Sequence, residues 1–389
     1  MSLGSGSVEV HSLGAIGLRL YNLNFGGARM ADRETIEALL KEASLAVEGH
    51  KFSLSFLLAE WEQVVDAWQL DSGEAYRDVV RLGRKTRLAE KQRSLLWSIF
   101  ARVRAGLAAR ELITLSGMYF RLAGKFANER ASPFDFIVVD EAQDIGVAQL
   151  RFLAALGGNR RNALFFAGDL GQRIFQQPFS WKALGVDVRG RSFTLKINYR
   201  TSHQIRMQAD RLLGAEVTDV DGNKESRKGT ISIFNGPAPA IQILKNADDE
   251  AQAVGRWLRE RLNERIAPGE IGIFVRSDAE LPRARAAAQI AGLPFAVLDE
   301  KVELAAGRAS VSTMHLAKGL EFRTVVVMAC DDEVIPLQAR IETATDEGEL
   351  EEVYATERHL LYVACTRARD HLLVTGVTPA SEFLGDLQF

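Results

Sequence analysis

The sequence predicts an α/β fold built on parallel sheets, and three observations carry that expectation. Apolar runs such as FDFIVVDEAQD (134–144), NALFFAGDLGQ and SFTLKINYRTS end in acidic, glycine or polar residues, as buried parallel strands do when they hand the chain to a loop at the sheet's carboxyl edge. Amphipathic helical segments such as DDEAQAVGRWLRERLNERI run between the members of a second set: TISIF, AIQILK, IGIFVRS, FAVLD, ASVSTMHLAKGLEF, TVVVMAC and DHLLVTGV. The chain has 389 residues, 47% hydrophobic and 25% charged, which is ordinary globular composition and length enough for two or three domains.

In chain order, MSLGSGS is small, polar and linker-like. VEVHSLGAIGLRLYNL starts with alternation and continues at helical spacing, which suggests a short strand feeding a helix. From about 31 to 130 the spacing is helical throughout, as in ETIEALLKEASLAVEG, SFLLAEWEQVVDAWQL and KQRSLLWSIFARVRAGLAARELI, so a helical subdomain is expected there. The first set of strands follows. A polar stretch, VTDVDGNKESRKGT, marks the loop into the second set, giving expected domains of 1–212 and 213–389. The acidic ETATDEGELEEVYATE suits the positive end of a helix dipole. No internal repeat or low-complexity tract is present.

A formal net charge of −3 excludes a chain that is basic all over, though not a local basic groove. Arg81, Arg84, Lys85, Arg87, Lys91 and Arg93 form the densest basic cluster, readable as a phosphate-tracking surface or as a solvated helix face. Trp61, Trp68 and Trp97 recur inside helical patterns and are expected in the core. Cys330 and Cys365 have neither a CxxC partner nor a histidine at metal-ligand spacing, so two buried thiols in a reducing compartment are expected. No apolar run approaches the ~20 residues of a membrane span, and the start lacks a signal peptide's charged and apolar regions. A cytoplasmic protein without a membrane partner is the expectation.

Asp140 and Glu141 follow Ile137, Val138 and Val139 directly, so a buried strand would carry both carboxylates to the sheet's carboxyl edge. Phosphoryl transfer needs a hard oxygen ligand for magnesium and a group that orients the attacking water, and adjacent acids can divide those roles. A solvated strand-to-helix turn is the alternative. The order DEAQD, GDLGQRIF, LKINYRTS, STMHLAKGLEF, YVACTRA resembles the motif series of superfamily 1 DNA helicases of the UvrD/Rep family, over roughly 134–389. VEVHSLGAIGLRL resembles, less closely, the family's aliphatic strand followed by T-F-H-S-L.

The resemblance implies two RecA-like domains that bind ATP and magnesium between them and move along single-stranded or partly duplex DNA, with 3′-to-5′ polarity. It implies that Asp140 holds magnesium, Glu141 activates water, and Gln172, just after the turn beginning Gly168-Asp169, senses the γ-phosphate. Tyr199 resembles the tyrosine that stacks on adenine, Arg200 and Arg367 the arginines that reach the γ-phosphate, and Glu321 the acid near the ribose. Two guanidinium groups suit developing phosphate charge, being permanently charged bidentate donors. For DNA the matching positions are Thr313, His315 and Lys318, with Phe175 and Trp181 as stacking aromatics. A stacked base is worth about 1–3 kcal/mol whatever its identity, which suits a motor that ignores sequence. His315 can also be read as a satisfied histidine between strands, and Trp181 as core packing.

The sequence departs from that family in two places. It contains no GxxxxGK[ST], whose amides and lysine cradle the β- and γ-phosphates. Its one Gly-Lys pair, Gly124-Lys125, lies in a helical pattern with Phe126 next. The stretch between Arg200 and Thr313 also leaves little room for the helical insertion of larger members. The expectation is therefore a first RecA-like domain that is incomplete and carries the helical subdomain, in a fragment of a longer helicase that is inactive in ATP hydrolysis by itself. A naturally short, non-hydrolysing DNA- or protein-binding module is the alternative, and an RNA-directed helicase a further one. No loading partner can be inferred.

Overall fold

The computed structural model describes residues 7–79, 88–129, 132–158, 160–169, 179–213, 216–218, 224–226, 229–299, 302–342, 344 and 347–388. The chain divides into two compact units, one of residues 1–169 with 175–190 and one of 170–174 with 191–389. This division lies upstream of the expected 212/213 boundary. Backbone bonds from Ser202 N to Arg369 O at 3.0 Å and from His203 N to Phe234 O at 3.1 Å tie the segment after Tyr199 into the second unit.

The first unit is mainly helical: α1 (Leu13–Phe25), α2 (Arg33–Leu45), α3 (Leu54–Glu60) running into a π-helical turn (Trp61–Asp66), α4 (Gly73–Asp78), α5 (Glu90–Ala109) and α6 (Leu115–Ala127). Ser12, Asp32, Ser53, Ser72 and Thr114 cap α1, α2, α3, α4 and α6, each side chain accepting a backbone N–H. The helical spacing is repaid in burial. Ile36, Leu39, Leu40 and Ala43 of α2 face Leu96, Ile99, Phe100 and Val103 of α5, and Trp61 and Tyr76 close the same cluster. Trp97 packs at its edge, while Trp68 belongs with a neighbouring cluster and lies under the Arg151 guanidinium. Gly124 and Lys125 fall inside α6, which is helix and not a phosphate loop. The alternation of VEVH does not produce a strand: residues 7–12 pair with no neighbour in a sheet, and Val8 and Val10 are exposed.

Beyond α6 the first unit holds β1 (Ile137–Val139), α7 (Val147–Gly157) and β2 (Leu164–Phe166). The strands pair in parallel, Ile137 with Leu164 and Val139 with Phe166. One face is covered: Ile137, Val139, Leu164 and Phe166 pack with Leu150 and Leu153 of α7. The other is not, Val138 being 73% and Phe165 63% exposed, so these strands are half-buried where the sequence predicts full burial.

The second unit begins with β3 (Ile197–Asn198), α8 (His203–Ala209), the hairpin β4 (Glu216–Thr218) and β5 (Lys224–Ser226), and β6 (Ile231–Ser232), which pairs in parallel with β3. Its main body is β7 (Ala240–Leu244), α9 (Ala247–Asn263), β8 (Ile271–Val275), α10 (Leu281–Ala291), β9 (Phe295–Val297), β10 (Ala309–Thr313), β11 (Phe322–Val327), α11 (Gln338–Ile341), α12 (Glu347–Cys365), β12 (Ala368–Val377) and α13 (Glu382–Gln388). Six of these strands form one all-parallel sheet in the order β7-β12-β11-β8-β10-β9. Residue parity decides the face. Ile271, Ile273, Val275 and Val326 pack on α9 and α10, whereas Phe274, Val325 and Val327 pack on the side of α8, α12 and α13. The predicted second set of apolar runs thus becomes a parallel sheet covered on both faces, except TISIF, which supplies β6 beside β3 and leaves Ile231 and Ile233 exposed.

Candidate functional site

In the first unit, β1 delivers Asp140 and Glu141 to its carboxyl end, both exposed. The Asp140 Oδ1 accepts the N–H of Glu141 at 2.9 Å, turning the backbone at once. Glu141 then adopts φ 52° and ψ 41°, a left-handed conformation in which a non-glycine residue is uncommon and costs on the order of 1 kcal/mol or more. Three bonds fix the turn, one to β2's end and two within it: Ala142 N to Ala167 O at 2.8 Å, Asp144 N to Glu141 O at 2.9 Å, and the Gln143 amide to the Glu141 carboxylate. The other end of the Gln143 amide accepts the N–H of Asp169 at 3.0 Å. Gln143 is buried, and sequence reasoning passed over it although it stands inside the motif; a polar side chain between two acids was the available signal.

Trp181 does not stand free. Its ring meets Phe166 edge-on, centroids 4.9 Å apart, within the cluster under β1 and β2, which favours packing over base stacking. Gln172 and Phe175 lie outside the described residues, as do Arg81, Arg84, Lys85 and Arg87.

The second unit separates the remaining candidates into two groups. At the amino ends of β11 and β12, where Phe322 pairs with Ala368, three charged residues converge on one loop. Arg200 forms an ion pair with Glu321 and donates to the Leu320 carbonyl at 2.9 Å, and Arg367 reaches the same carbonyl at 3.5 Å. The Asn198 Oδ1 accepts the N–H of Arg200 at 2.8 Å and of Thr201 at 3.3 Å, a side-chain turn that sets the direction of Arg200. Tyr199 beside it is exposed. Arg367 is only 2% exposed, and its guanidinium also donates to Val363 O at 3.0 Å and to Thr366 Oγ1 at 3.3 Å. As placed, therefore, Arg367 braces the end of α12 against the loop, and does not project as a free cation.

At the carboxyl ends of β8 and β10, where Val275 pairs with Thr313, stand Arg276, Thr313 and His315. Along the strands this edge is about six residues, or ~20 Å, from the amino edge just described. Thr313 is half-buried at the end of β10, and His315 lies in the 3-10 turn that follows. Burial, and next the nearby Arg276 cation, push the His315 imidazole down to about 4, so it is neutral at physiological pH. Arg276 is itself buried and holds Glu357 in a two-pronged pair at 2.5 and 2.6 Å, with Arg340 on the same carboxylate at 3.0 Å. Lys318, half-buried, lies in the connection that returns from this edge to β11. Sequence reasoning missed Arg276, although a charged residue straight after IGIFV carries the same signal as Asp140 after IVV.

Both thiols behave as the sequence suggests. Burial pushes Cys365 up to about 12 and raises Cys330 well above the ordinary range, leaving two protonated core thiols. Among the described residues no His, Cys, Asp and Glu cluster of three or more could hold a metal, and no helix is long and apolar enough to cross a membrane.

The donor set can be compared with what magnesium and ATP require. An exposed aspartate is the hard oxygen ligand that magnesium prefers, and an exposed tyrosine beside an arginine suits a nucleotide base and phosphate. The glycine-rich cradle with its lysine is not in this sequence.

These features define a two-part RecA-like α/β chain, its first part reduced to a two-stranded parallel sheet among the described residues and carrying a helical subdomain. Residues 17–180 match the UvrD/REP helicase N-terminal domain, and residues 297–378 match the UvrD-like helicase C-terminal domain. The chain belongs to the UvrD/Rep-like superfamily 1 helicases. It is 26% identical to a "Probable DNA helicase" of Mycoplasma pneumoniae over 258 residues, covering 63% of this chain and 44% of that protein. It is 33% identical to the ATP-dependent DNA helicase PcrA of Bacillus subtilis over 103 residues, 23% of this chain and 13% of PcrA. With the ATP-dependent DNA helicase UvrD1 of Mycobacterium bovis the identity is 39% over 77 residues, 20% of this chain and 9% of UvrD1. The chain thus spans less than half the length of these relatives. Among solved structures, the C-terminal domain of a possible DNA helicase from a Lactobacillus shares 24% identity at a TM-score of 0.34, over 49% of this chain and 94% of that one.

Proposed function

We propose that this chain carries nucleotide-facing and DNA-facing surfaces of an ATP-dependent DNA helicase, and that by itself it binds single-stranded DNA without turning over ATP. The observation that carries this reading is the sorting of the second unit's candidates: Arg200, Glu321 and Arg367 gather at one edge of the parallel sheet, Thr313 and His315 at the other. A motor must handle its fuel and its track at separate places, and this arrangement supplies two. Asp140 would hold magnesium, whose bound charge would offset developing phosphate charge, and Glu141 would orient the attacking water. Gln172 and Asp169 belong to the same nucleotide-facing set, and Tyr199 would stack on the base. Arg200 and Arg367 would reach phosphate only by exchanging their present carbonyl and carboxylate partners. Thr313, His315 and Lys318 would meet the DNA backbone, with Phe175 as the remaining stacking candidate. The family likeness supports a 3′-to-5′ polarity.

The test is a steady-state ATPase assay with single-stranded DNA, paired with fluorescence anisotropy on a labelled oligonucleotide. DNA binding without stimulated turnover is expected, because the sequence lacks the loop that contributes most phosphate contacts. Robust turnover abolished by Glu141→Gln would sink the inactive half of the proposal. Absence of DNA binding, or preference for RNA in competition, would sink the other half.

A further inference from the structure

Gln143 does more than fill the space behind two acids. Its amide is 4% exposed and is bonded at both ends, Nε2 donating to the Glu141 carboxylate and Oε1 accepting the N–H of Asp169. The two partners lie on different segments, 26 positions separating Gln143 from Asp169. The close approach needs glycine at 168, since a Cβ there would stand 2.5 Å from the Gln143 Oε1 and 3.1 Å from Ala142 N. Glu141, in a left-handed backbone conformation, presents its carboxylate to the Gln143 amide. A planar amide fixed at both ends cannot turn to suit one partner without disturbing the other.

We infer that Gln143 is a positioning residue that couples the Glu141 carboxylate to the Gly168–Asp169 turn, so that a change at the carboxylate is felt in the backbone of that turn. The inference deepens the proposed function, resting on the reading of Glu141 as the water-orienting acid. Coupling of this kind would let the state of the reacting centre be reported to the loop that leads, in sequence, toward Gln172. A buried glutamine that merely satisfies its own polar atoms would fix both segments but pass nothing between them.

Hydrogen exchange of the Asp169 amide, followed by NMR on the full chain, separates the two roles. Gln143→Leu removes the acceptor and is expected to speed that exchange roughly tenfold, the effect of one lost hydrogen bond. Glu141→Ala touches neither atom of the Asp169 bond, yet is expected to speed the same exchange at least threefold with Gln143 present and not at all in the Gln143→Leu background. Glu141→Gln keeps an acceptor for Nε2 and should leave exchange near the parent rate. Equal effects of Glu141→Ala in both backgrounds, or no effect in either, overturn the coupling. If Gln143→Leu does not fold, the contrast between Glu141→Ala and Glu141→Gln still decides. The functional reading is checked apart from this, by manganese-induced broadening of the Asp140 resonances and its loss in Asp140→Asn. That can fail while the coupling stands.

Discussion

Arg276 and Glu357 are 81 positions apart and meet where neither side chain reaches solvent. A buried ion pair adds little over a well-packed apolar pair, but removing one partner strands a charge, at a cost of about 3–5 kcal/mol. Glu357→Leu, which strands Arg276, should lower stability by that order in denaturant melts, Arg276→Met should cost less because Glu357 keeps Arg340, and the double variant Arg276→Met/Glu357→Leu should lose less than the two singles summed. Full additivity of the two single losses would count against the pair. His315 beside them gives a second expectation. Its folded pKa lies below its unfolded value, so between about 6.5 and 4 the unfolded chain binds the extra proton and stability falls as pH falls, by up to ~1.4 kcal/mol per pH unit. His371, also lowered by burial, acts in the same direction. His315→Gln should flatten the acid limb of a stability–pH curve; an unchanged limb would mean that the imidazole is charged in the folded chain. Such pairings were illegible beforehand because nothing local marks which distant carboxylate an arginine will meet. Asp140 and Glu141, by contrast, could be read from a single strand end.

Glu250 shows how one side chain can join elements that no motif connects. The first turn of α9 carries Asp248, Asp249 and Glu250, which read alike as acids favouring a helix dipole. Only Glu250 turns inward: it accepts from Arg283 of α10 at 3.0 Å, from Ala329 N beyond β11 at 3.0 Å and from Thr375 of β12 at 2.6 Å. Glu250→Ala takes the acceptor from Ala329 N and Thr375 Oγ1 in the core, while Arg283 keeps Asp331 and Glu280, and should destabilise the second unit by about 2–4 kcal/mol. Hydrogen exchange would show α9, α10 and β12 opening together while α5 and α6 in the first unit keep their protection. Uniform acceleration across both units would refute this local role. Elements whose apolar period matches their burial were legible: α2, α5 and the strands from β7 to β12 stand where their spacing puts them. SFTLKINYRTS was not, since an apolar run does not say what will cover it. Phe193, Leu195 and Ile197 are exposed, and only Ile197 and Asn198 pair, with β6.

For the molecule as a whole, a formal net charge of −3 means that no overall field draws in a polyanion, so the proposed DNA binding would have to come from a few local contacts. The number of those contacts can be counted. Each phosphate neutralised on a single strand releases condensed counterions and adds about 0.7 to the slope of log K against log salt. If Lys318 meets a phosphate, Lys318→Ala should weaken binding and reduce the slope by about that amount. His315→Ala should weaken binding, if it does, with no change in slope at pH 7, because a neutral imidazole releases no counterion. The two substitutions, three positions apart and on the same connection from β10 to β11, are therefore expected to differ in kind. Anisotropy titrations of each variant at four or five salt concentrations make the comparison. A slope left intact by Lys318→Ala would remove that residue from the DNA-facing group, and a slope lowered by His315→Ala would require a protonated imidazole, against the burial and the Arg276 charge that hold it neutral.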